Sequence, residues 1–381
     1  MKVNRILSPA ALVLIALSGP TIAAQNTQKP DALPLTGDIA GTHDPSIAKD
    51  GGTYYVFATG AVYAPRPTYT DSIPPAPTAP PAGASTPPRR GTPIGQFAVR
   101  CSADLLSWKR CGQVFSAIPP WIKTLSPRTE ELWAPDISFF DGQYHLYYAF
   151  SVFGKNTSGI ALATSKTLAF TSPDYKWVDH GLVLQSTEHD DFNAIDPNLV
   201  LDADGSPWLA FGSFWSGIKM RRLDRKTGLL SETDKKTYAL ASRAKPEHPE
   251  AAKPGLPPDS EAVEAPFILH HGDYYYLFVS WDLCCRGVKS TYRTMMGRSK
   301  HVTGPYLDKA GKSMTEGGGS PLLVANDKWL GPGGESLLHL PAGDIIVFHA
   351  YDAHTGRPSL HISTLAWSEG WPAAALDGDS R

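Results

Sequence analysis

The chain has 381 residues and a formal net charge of −2, so it lacks the basic surface that binding to nucleic acid or anionic lipid requires. This balance is typical of a soluble protein with an uncharged partner, and we predict neither a nucleic-acid nor a membrane partner. With 34 glycines, 34 prolines and 10% aromatic residues, the composition favours an all-β protein of many short strands joined by turns.

The N-terminus has the three regions of a secretory signal peptide. A basic start is followed by the apolar stretch Ala10–Leu17 and by small residues near Ala23. The stretch is too short to span a bilayer comfortably. We predict that residues 1–24 are removed on export to the periplasm or outside the cell, and that residues 25–381 form a single domain. A retained N-terminal anchor is the alternative.

Five copies of one strand pattern follow the N-terminal segment. Each consists of two apolar or alternating runs around a Gly or Asp-Gly turn, which is the signature of a β-hairpin. Their spacing of roughly 60 to 70 residues, once an insertion in the first copy is set aside, predicts a repeat architecture such as a β-propeller. Equivalent positions would then surround one axis, so acids far apart in sequence would meet in space. The copies begin at Asp44, Asp136, Asp196, Glu264 and Glu335.

Two proline-rich segments interrupt the repeat. Residues 64–93 lie inside the first copy, and their composition predicts a surface loop of polyproline character. A flap over one end of a substrate groove and an insertion without function are both open interpretations. The second segment, Ala244–Pro258, leads into the copy at Glu264. Neither is expected to divide the chain into domains.

The four cysteines form two pairs in sequence. Cys101 and Cys111 flank a predicted strand, turn and returning strand, so they could lie opposite each other and close a small loop. Cys284 and Cys285 are adjacent, and a bond between neighbours closes a strained eight-membered ring. Two buried thiols are at least as open an interpretation of that pair.

Three of the copies begin with a carboxylate that a proline follows within two residues, namely Asp44, Asp196 and Glu264. The proline fixes the backbone, so each acid is expected at a strand end on the channel rim. Hydrolysis of a glycosidic bond needs one carboxylic acid that protonates the leaving oxygen and one carboxylate that acts as base or nucleophile. A third carboxylate nearby can raise the pKa of the acid. The alternative is that each acid merely caps a turn.

Eight motifs are spread over nearly the whole chain, from about Asp38 to Trp371. They are THDPSI from Thr42, LWAPDI from Leu132, SVFGKNTSGIALATS from Ser151, NAIDPNLV from Asn193, GSFWSGI from Gly212, EAPFI from Glu264, DLCCRGVKSTY from Asp282 and FHAYD from Phe348. This set resembles glycoside hydrolase family 43, and within it the endo-1,5-α-L-arabinanases. The resemblance implies a five-bladed β-propeller and an inverting hydrolase that acts on the α-1,5-linked backbone of arabinan.

The resemblance also implies a role for each acid. Asp44 would be the general base that activates water, Glu264 the general acid, and Asp196 the group that tunes the pKa and orientation of that acid. Inversion agrees with a base and an acid on opposite sides of a channel, with room for a water between them. Asp136 and Glu335 match no catalytic role in the family pattern and are assigned to structure.

A neutral arabinofuranose must be held by aromatic faces and by hydrogen bonds to its hydroxyls. The candidate subsite residues stand in or beside the family motifs: Trp133, Phe153, Gly154, Asn193, Ala194, Ile195, Ser213, Phe214 and Trp215. Packing between blades is the alternative for the aromatic members. It is the leading interpretation for tyrosines that alternate within strands, namely Tyr54, Tyr55, Tyr147, Tyr148, Tyr275 and Tyr276.

His349 is the histidine of the FHAYD motif. A lone histidine in a strand is commonly a core residue, but the resemblance implies that the matching residue contributes to a hydrated metal site on the propeller axis, with calcium as the ion. One imidazole is a poor ligand set for a hard cation, so most ligands would be waters. We predict one hydrated calcium ion and no organic cofactor.

The leading prediction is a monomeric hydrolase that cleaves internal bonds of arabinan and its oligosaccharides. The nearest alternative is exo-arabinanase, arabinofuranosidase or xylosidase activity of the same fold, because loops at the ends of the groove decide whether a chain can pass through. The proline-rich insertion departs from the family pattern and bears on that choice. A non-catalytic sugar-binding propeller is the third hypothesis, and the three intact acids speak against it.

Overall fold

The predicted hairpins form, and they extend into five sheets arranged as the blades of a β-propeller. The computed structural model describes residues 29–63, 93–243 and 262–378. The signal-peptide prediction and the segment Ala244–Pro258 fall outside these residues, as does the first proline-rich segment apart from Pro93. The strands on either side of that segment, Ala61–Tyr63 and Pro93–Ser102, pair with each other.

The strands of each blade follow one another along the chain. Blade 1 contains β1 Thr36–Gly37, β2 Ser46–Asp50, β3 Thr53–Phe57, β4 Ala61–Tyr63, β5 Pro93–Ser102 and β6 Ser107–Phe115. Blade 2 contains β7 Leu132–Phe140, β8 Gln143–Phe150, β9 Ser158–Ser165 and β10 Val178–Ser186. Blade 3 contains β11 Asn198–Leu201, β12 Pro207–Phe211, β13 Ile218–Arg222 and β14 Thr237–Ala241. Blade 4 contains β15 Val263–His271, β16 Tyr274–Trp281, β17 Arg293–Ser299 and β18 Ser320–Leu323.

Blade 5 and the remaining elements complete the structure. Blade 5 contains β19 Trp329–Leu340, β20 Gly343–Asp352 and β21 Pro358–Thr364, and a two-stranded ribbon of β22 Ala366–Ser368 and β23 Trp371–Ala373 follows. The helical elements of the described residues are α1 Pro120–Leu125 and the 3₁₀ helices Gly287–Lys289 and Met314–Glu316. Within the described ranges, no helix has the length and apolarity needed to cross a membrane.

Neighbouring blades pack through five hydrophobic clusters, one at each blade interface. Successive side chains of a strand point to opposite faces of the sheet, so adjacent residues serve different interfaces. In β8, Tyr147 joins the cluster against blade 3 and Tyr148 the cluster against blade 1. In β16, Tyr275 packs toward blade 3 and Tyr276 toward blade 5. The prediction that these alternating tyrosines are buried between blades is confirmed.

The N-terminal part of the described chain closes the ring. Ala32 and Ala40 form antiparallel bridges with Ser363 and Ser359 of β21, so residues 31–41 lie along the outer strand of blade 5. The fifth hydrophobic cluster joins the same two ends of the chain, since it contains side chains of blades 1 and 5. This closure holds the first and last blades together without a covalent link.

Both cysteine pairs are disulfides. The Cys101–Cys111 bond joins β5 to β6, as the strand, turn and strand pattern predicted. Cys284 and Cys285 are bonded to each other in the loop after β16, so the alternative of two buried thiols is wrong. Cys285 is exposed and Cys284 is half-buried. This loop lies beside the acids described next.

Candidate active site

In each blade, one residue with positive φ lines the central cavity, and we call it the kink residue. Where they pair with the next strand, β7 and β15 each show one register shift near the strand start, and β19 shows two. Every blade has a residue with positive φ near this point, a conformation that costs an ordinary side chain free energy, and blade 5 has two, Gly331 and Gly334. The five kink residues line one cavity on the axis, with φ of 44° at Asp44, 43° at Ala134, 55° at Asp196, 52° at Ala265 and 60° at Gly334.

The five acids of the repeat therefore do not occupy one position. Asp44 and Asp196 are kink residues, but Glu264 lies one residue before its kink, and Glu335 one residue after. Asp136 lies two residues after the kink of blade 2. The expectation that the acids share a repeat position was wrong in this respect, because aligning the copies by their acids conceals offsets of one or two residues. These offsets give the acids different surroundings.

Asp44 is held as a carboxylate by two donors. Nδ1 of His43 lies 3.0 Å from Oδ1, and the Thr59 hydroxyl donates to Oδ2 at 2.6 Å. Burial alone would raise the pKa of Asp44, but the interactions with His43, His349 and Thr59 hold it well below its ordinary value. An ionised carboxylate at this position can accept a proton from a water molecule.

The pKa of Glu264 is raised, whereas that of Asp44 is lowered. The Glu264 side chain is buried, and burial raises its pKa to about 7, with a further contribution from the negative charge of Asp44. The Ser213 hydroxyl donates to Oε2 at 2.5 Å and opposes this rise. The carboxyl group is thus protonated below neutral pH and able to donate a proton.

Asp196 interacts electrostatically with Glu264. Its Oδ2 accepts a hydrogen bond of 3.0 Å from the N–H of Ala265, the residue after Glu264. Burial, together with the charges of Glu264 and Asp44, raises the pKa of Asp196 well above its ordinary value. Repulsion between two carboxylates is mutual, which fits the prediction that Asp196 tunes Glu264. For Glu264 itself, however, burial is the largest cause.

The other two acids connect blades. Asp136 is buried and accepts hydrogen bonds from Asn198 Nδ2 at 3.0 Å and from the N–H of Leu199 at 2.8 Å, so it ties blade 2 to blade 3. Oε2 of Glu335 accepts from the hydroxyls of Ser280 and Thr294, which belong to blade 4. Burial raises the pKa of Asp136 to about 6 and that of Glu335 to about 8. These contacts agree with their assignment to structure.

Comparison with protein families identifies the chain. The model of the glycosyl hydrolases family 43 matches residues 39–372. The chain belongs to glycosyl hydrolase family 43. The match covers every blade strand except β1, so the family assignment and the propeller describe nearly the same residues.

Three relatives illustrate the range within this family. The family 43 chain is 41% identical to an extracellular endo-α-(1→5)-L-arabinanase of Bacillus subtilis, over 87% of either chain. It is 39% identical to an extracellular exo-α-(1→5)-L-arabinofuranosidase of Cellvibrio japonicus, over 87% of this chain and 85% of the relative. The solved structure of a Cellvibrio cellulosa α-L-arabinanase with arabinohexaose superposes with a TM-score of 0.75 at 37% identity, covering 89% of this chain and 96% of that one.

The predicted sugar contacts fall into two groups in this family 43 structure. Phe153 is 78% exposed and precedes Gly154 in the turn after β8, while Trp133, Phe214 and Trp215 are half-buried. Trp133 holds in blade 2 the position of Glu264 in blade 4, one residue before the kink. These side chains remain available to a ligand, and their role as sugar contacts stays a prediction.

The second group is buried and already bonded. Oδ1 of Asn193 accepts from the Ser158 hydroxyl at 2.7 Å, and the N–H of Ala194 donates to Ser186. The carbonyl of Ile195 accepts from the N–H of Gly212. Ser213 donates to Glu264, and its role as a sugar contact stays a prediction. The structure thus assigns Ser213 to the surroundings of the acid.

His349 lies on β20 with its side chain fully buried beside Asp44. Its Nδ1 accepts from the N–H of Asp44 at 3.2 Å, and its ring stacks on His43 with centroids 3.8 Å apart. Among the described residues, Nε2 has no hydrogen-bond partner, and burial lowers the pKa of His349 well below its ordinary value. A neutral imidazole with a buried, unpartnered nitrogen fits a metal ligand.

Three functional neighbours were not singled out from the sequence: His43, Thr59 and Tyr351. His43 stands in the THDPSI motif and Tyr351 in FHAYD, so proximity to motif residues was the available signal. Thr59 follows β3 and has no such signal, because only the fold brings its hydroxyl to Asp44.

Removing the Ser213 hydroxyl is expected to shift the alkaline limb of the pH profile upward. A general acid must be protonated, so with Glu264 in that predicted role activity is present below its pKa, about 7, and is lost as pH rises through it. A hydrogen bond to the carboxylate stabilises the charged form, so Ser213→Ala should raise that pKa by up to about one unit. The measurement is kcat/KM against pH for both proteins.

Ser165→Ala is a suitable control, because Ser165 is also buried but donates to the Thr167 carbonyl, outside the cavity. Its alkaline limb should coincide with that of the wild type. A limb in Ser213→Ala that stays in place or moves to lower pH would contradict the assignment of Glu264 as the titrating acid.

Proposed function

We propose that this enzyme hydrolyses internal α-1,5-linked arabinofuranosyl bonds of arabinan with inversion at the anomeric carbon. The observation that carries the proposal is the contrast between two carboxyl groups of one channel. The partners of Asp44 keep it ionised, whereas burial raises the pKa of Glu264 to about 7. One group suits a base and the other an acid, which is the pair that glycoside hydrolysis needs.

The proposed reaction is a single displacement. Asp44 takes a proton from a water molecule, whose oxygen attacks the anomeric carbon. As the glycosidic bond breaks, Glu264 gives its proton to the leaving oxygen, so the products are a free hydroxyl and a new reducing end. Asp196, bonded to the N–H next to Glu264, disfavours an early loss of that proton.

Arabinan is the proposed substrate because relatives that cover most of the chain are named for it. The Bacillus subtilis relative is an endo-arabinanase, and the Cellvibrio cellulosa structure holds arabinohexaose. Trp133, which precedes the cavity-lining Ala134, and the exposed Phe153 offer aromatic faces that suit a neutral sugar. Two relatives are named extracellular, which supports export of this protein. We propose that it acts as a monomer.

An exo-acting enzyme is the second candidate, because the Cellvibrio japonicus relative at 39% identity is named as one. Timed product analysis on linear arabinan separates the two. An endo enzyme gives a ladder of short oligosaccharides early in the reaction, and a single small product from the first minutes identifies an exo mode. Absence of any oligosaccharide or arabinose would reject both candidates.

A calcium ion at His349 forms part of the proposal. His349 lies beside His43 and Asp44, and its Nε2 is buried and free of hydrogen-bond partners among the described residues, whereas the ring nitrogens of His43 contact Asp44 and Tyr351. Calcium prefers oxygen ligands, so waters would supply most of them. When bound, the ion supplies positive charge beside Asp44.

His349→Ala is expected to abolish calcium binding. The wild type, dialysed against calcium and then against buffer, should retain about one ion per chain in elemental analysis, and the variant should retain none. His361→Ala is the matched control, because His361 is a buried histidine of the same blade that packs against Phe348. Equal calcium content in wild type and His349→Ala would contradict this site.

A further inference from the structure

The two oxygens of Asp44 are each held by a hydrogen-bond chain that begins at a backbone N–H. On the first side, the N–H of Ala134 donates to the Thr59 hydroxyl oxygen at 2.7 Å. Because an amide can only donate, that hydroxyl oxygen is the acceptor and its own proton is free to point elsewhere. It points to Asp44 Oδ2, 2.6 Å away.

The second chain runs through an imidazole. The N–H of Cys285 donates to the Tyr351 hydroxyl oxygen at 2.9 Å, and that oxygen lies 2.7 Å from Nε2 of His43. The other ring nitrogen, Nδ1, lies 3.0 Å from Asp44 Oδ1. A carboxylate can only accept, so Nδ1 carries a proton whether the ring is neutral or charged. The ring is thereby fixed in the orientation that donates to Asp44.

Each chain starts at a residue whose backbone is held in an uncommon conformation. Ala134 is the kink residue of blade 2, with φ of 43°, and Cys285 has φ of 67°. The Cys284–Cys285 disulfide closes the turn that presents the second N–H, and Sγ of Cys285 lies 3.6 Å from Nε2 of His43. Both donors come from outside blade 1, which carries Asp44: Ala134 belongs to blade 2 and Cys285 to the loop after β16.

We propose that Thr59 and Tyr351, the latter through His43, are positioning residues that fix the orientation of the Asp44 carboxylate. This inference rests on the proposed function, in which Asp44 is the base. A base must point one lone pair at the attacking water, and small errors in orientation slow the reaction strongly. Two chains that end on different oxygens prevent the carboxylate from rotating about its Cβ–Cγ bond.

The test compares variants that keep the volume of the side chain but remove its hydroxyl. Thr59→Val and Tyr351→Phe should each lower kcat on linear arabinan about 10- to 100-fold, with KM within about twofold of the wild type. Thr59→Ser retains a hydroxyl and should recover most of kcat. Thr164→Val and Tyr147→Phe are the controls, because these side chains make comparable hydrogen bonds, to His180 and to the Gly228 carbonyl, outside the cavity.

A double-variant series separates positioning from a general structural effect. In a His43→Ala background, Tyr351→Phe should cause no further loss of kcat, since its chain is already broken. Thr59→Val should still lower kcat in that background, because it acts on the other oxygen. Thermal unfolding is recorded for every variant, and the Val and Ser variants of Thr59 carry the test if Tyr351→Phe does not fold.

Three outcomes would overturn the positioning role: kcat of Thr59→Val and Tyr351→Phe equal to that of the controls, failure of Thr59→Ser to exceed Thr59→Val, or an undiminished effect of Tyr351→Phe without His43. A wild type that is inactive on linear arabinan would instead reject the proposed function, before any variant is compared.

Discussion

Glu264→Gln is expected to lower kcat/KM on linear arabinan by about 10²–10⁴-fold, because an amide cannot protonate the leaving sugar oxygen. On an aryl arabino-oligosaccharide whose leaving group is a strongly acidic phenol, kcat/KM of the same variant should fall by about tenfold or less. The phenolate departs without a proton, so the acid contributes little to that reaction. The measurement is the loss of kcat/KM on linear arabinan divided by the loss on the aryl substrate.

Glu335→Gln provides the matched control. Glu335 is also a buried carboxyl group on the channel with a raised pKa, but it bonds to Ser280 and Thr294 of blade 4. This variant should retain kcat/KM within about tenfold on both substrates. If Glu264→Gln slows both substrates equally, or if Glu335→Gln shows the substrate dependence expected of Glu264, the acid has been assigned to the wrong residue.

Asp44→Asn is expected to lower kcat/KM on both substrates by about 10⁴-fold, the upper end of the range given for Glu264→Gln on linear arabinan. Water must be activated whatever the leaving group, so an acidic phenol does not help this variant. Asparagine keeps the size of the side chain, and KM should change little. Steady-state kinetics on linear arabinan and on the aryl substrate measure both losses.

Asp202→Asn is the control for this variant, because Asp202 accepts from the Trp208 indole at 2.8 Å in a turn of blade 3 and is outside the cavity. Its kinetics should match the wild type. Retention of wild-type turnover of the aryl substrate by Asp44→Asn would show that another group activates the water.

Much of the propeller could be predicted from the sequence, because each blade begins with a hairpin whose alternation is local. Tyr147 and Tyr148 illustrate this: successive residues of one strand pack against two different blades, so both faces of the strand are apolar. The closure of the ring could not be predicted in this way. Residues 31–41 pair with β21 through isolated bridges, which leave no strand pattern in the sequence.

The three catalytic candidates were found from the Asp-Pro and Glu-Ala-Pro motifs, but their different characters were not. Burial opposed by His43, His349 and Thr59 sets the pKa of Asp44, and burial opposed by Ser213 contributes to that of Glu264. Thr59 and Ser213 come from the segments after β3 and β12, which only the fold brings to the two acids. The one-residue offset of Glu264 from its kink was hidden for a related reason. Backbone kinks have no fixed residue type here, since aspartate, alanine and glycine all occupy them.

The disulfide between Cys284 and Cys285 is another feature that the sequence did not predict. Ring strain argued against it from sequence alone, and buried thiols were at least as open an interpretation. In the structure, the pair closes a turn whose N–H reaches Tyr351 and, through it, His43. A role at the active site explains such a turn better than packing does, because Cys285 is exposed.

In the proposed single displacement, Asp44 and Glu264 act on opposite faces of the sugar. The most direct test is proton NMR of the reducing end formed in the first moments of hydrolysis of an α-1,5-linked arabino-oligosaccharide, before the anomers equilibrate. Inversion predicts that the β anomer appears first and the α anomer only later. An α anomer formed first would require a covalent intermediate and would contradict the assignment of Asp44 as a base.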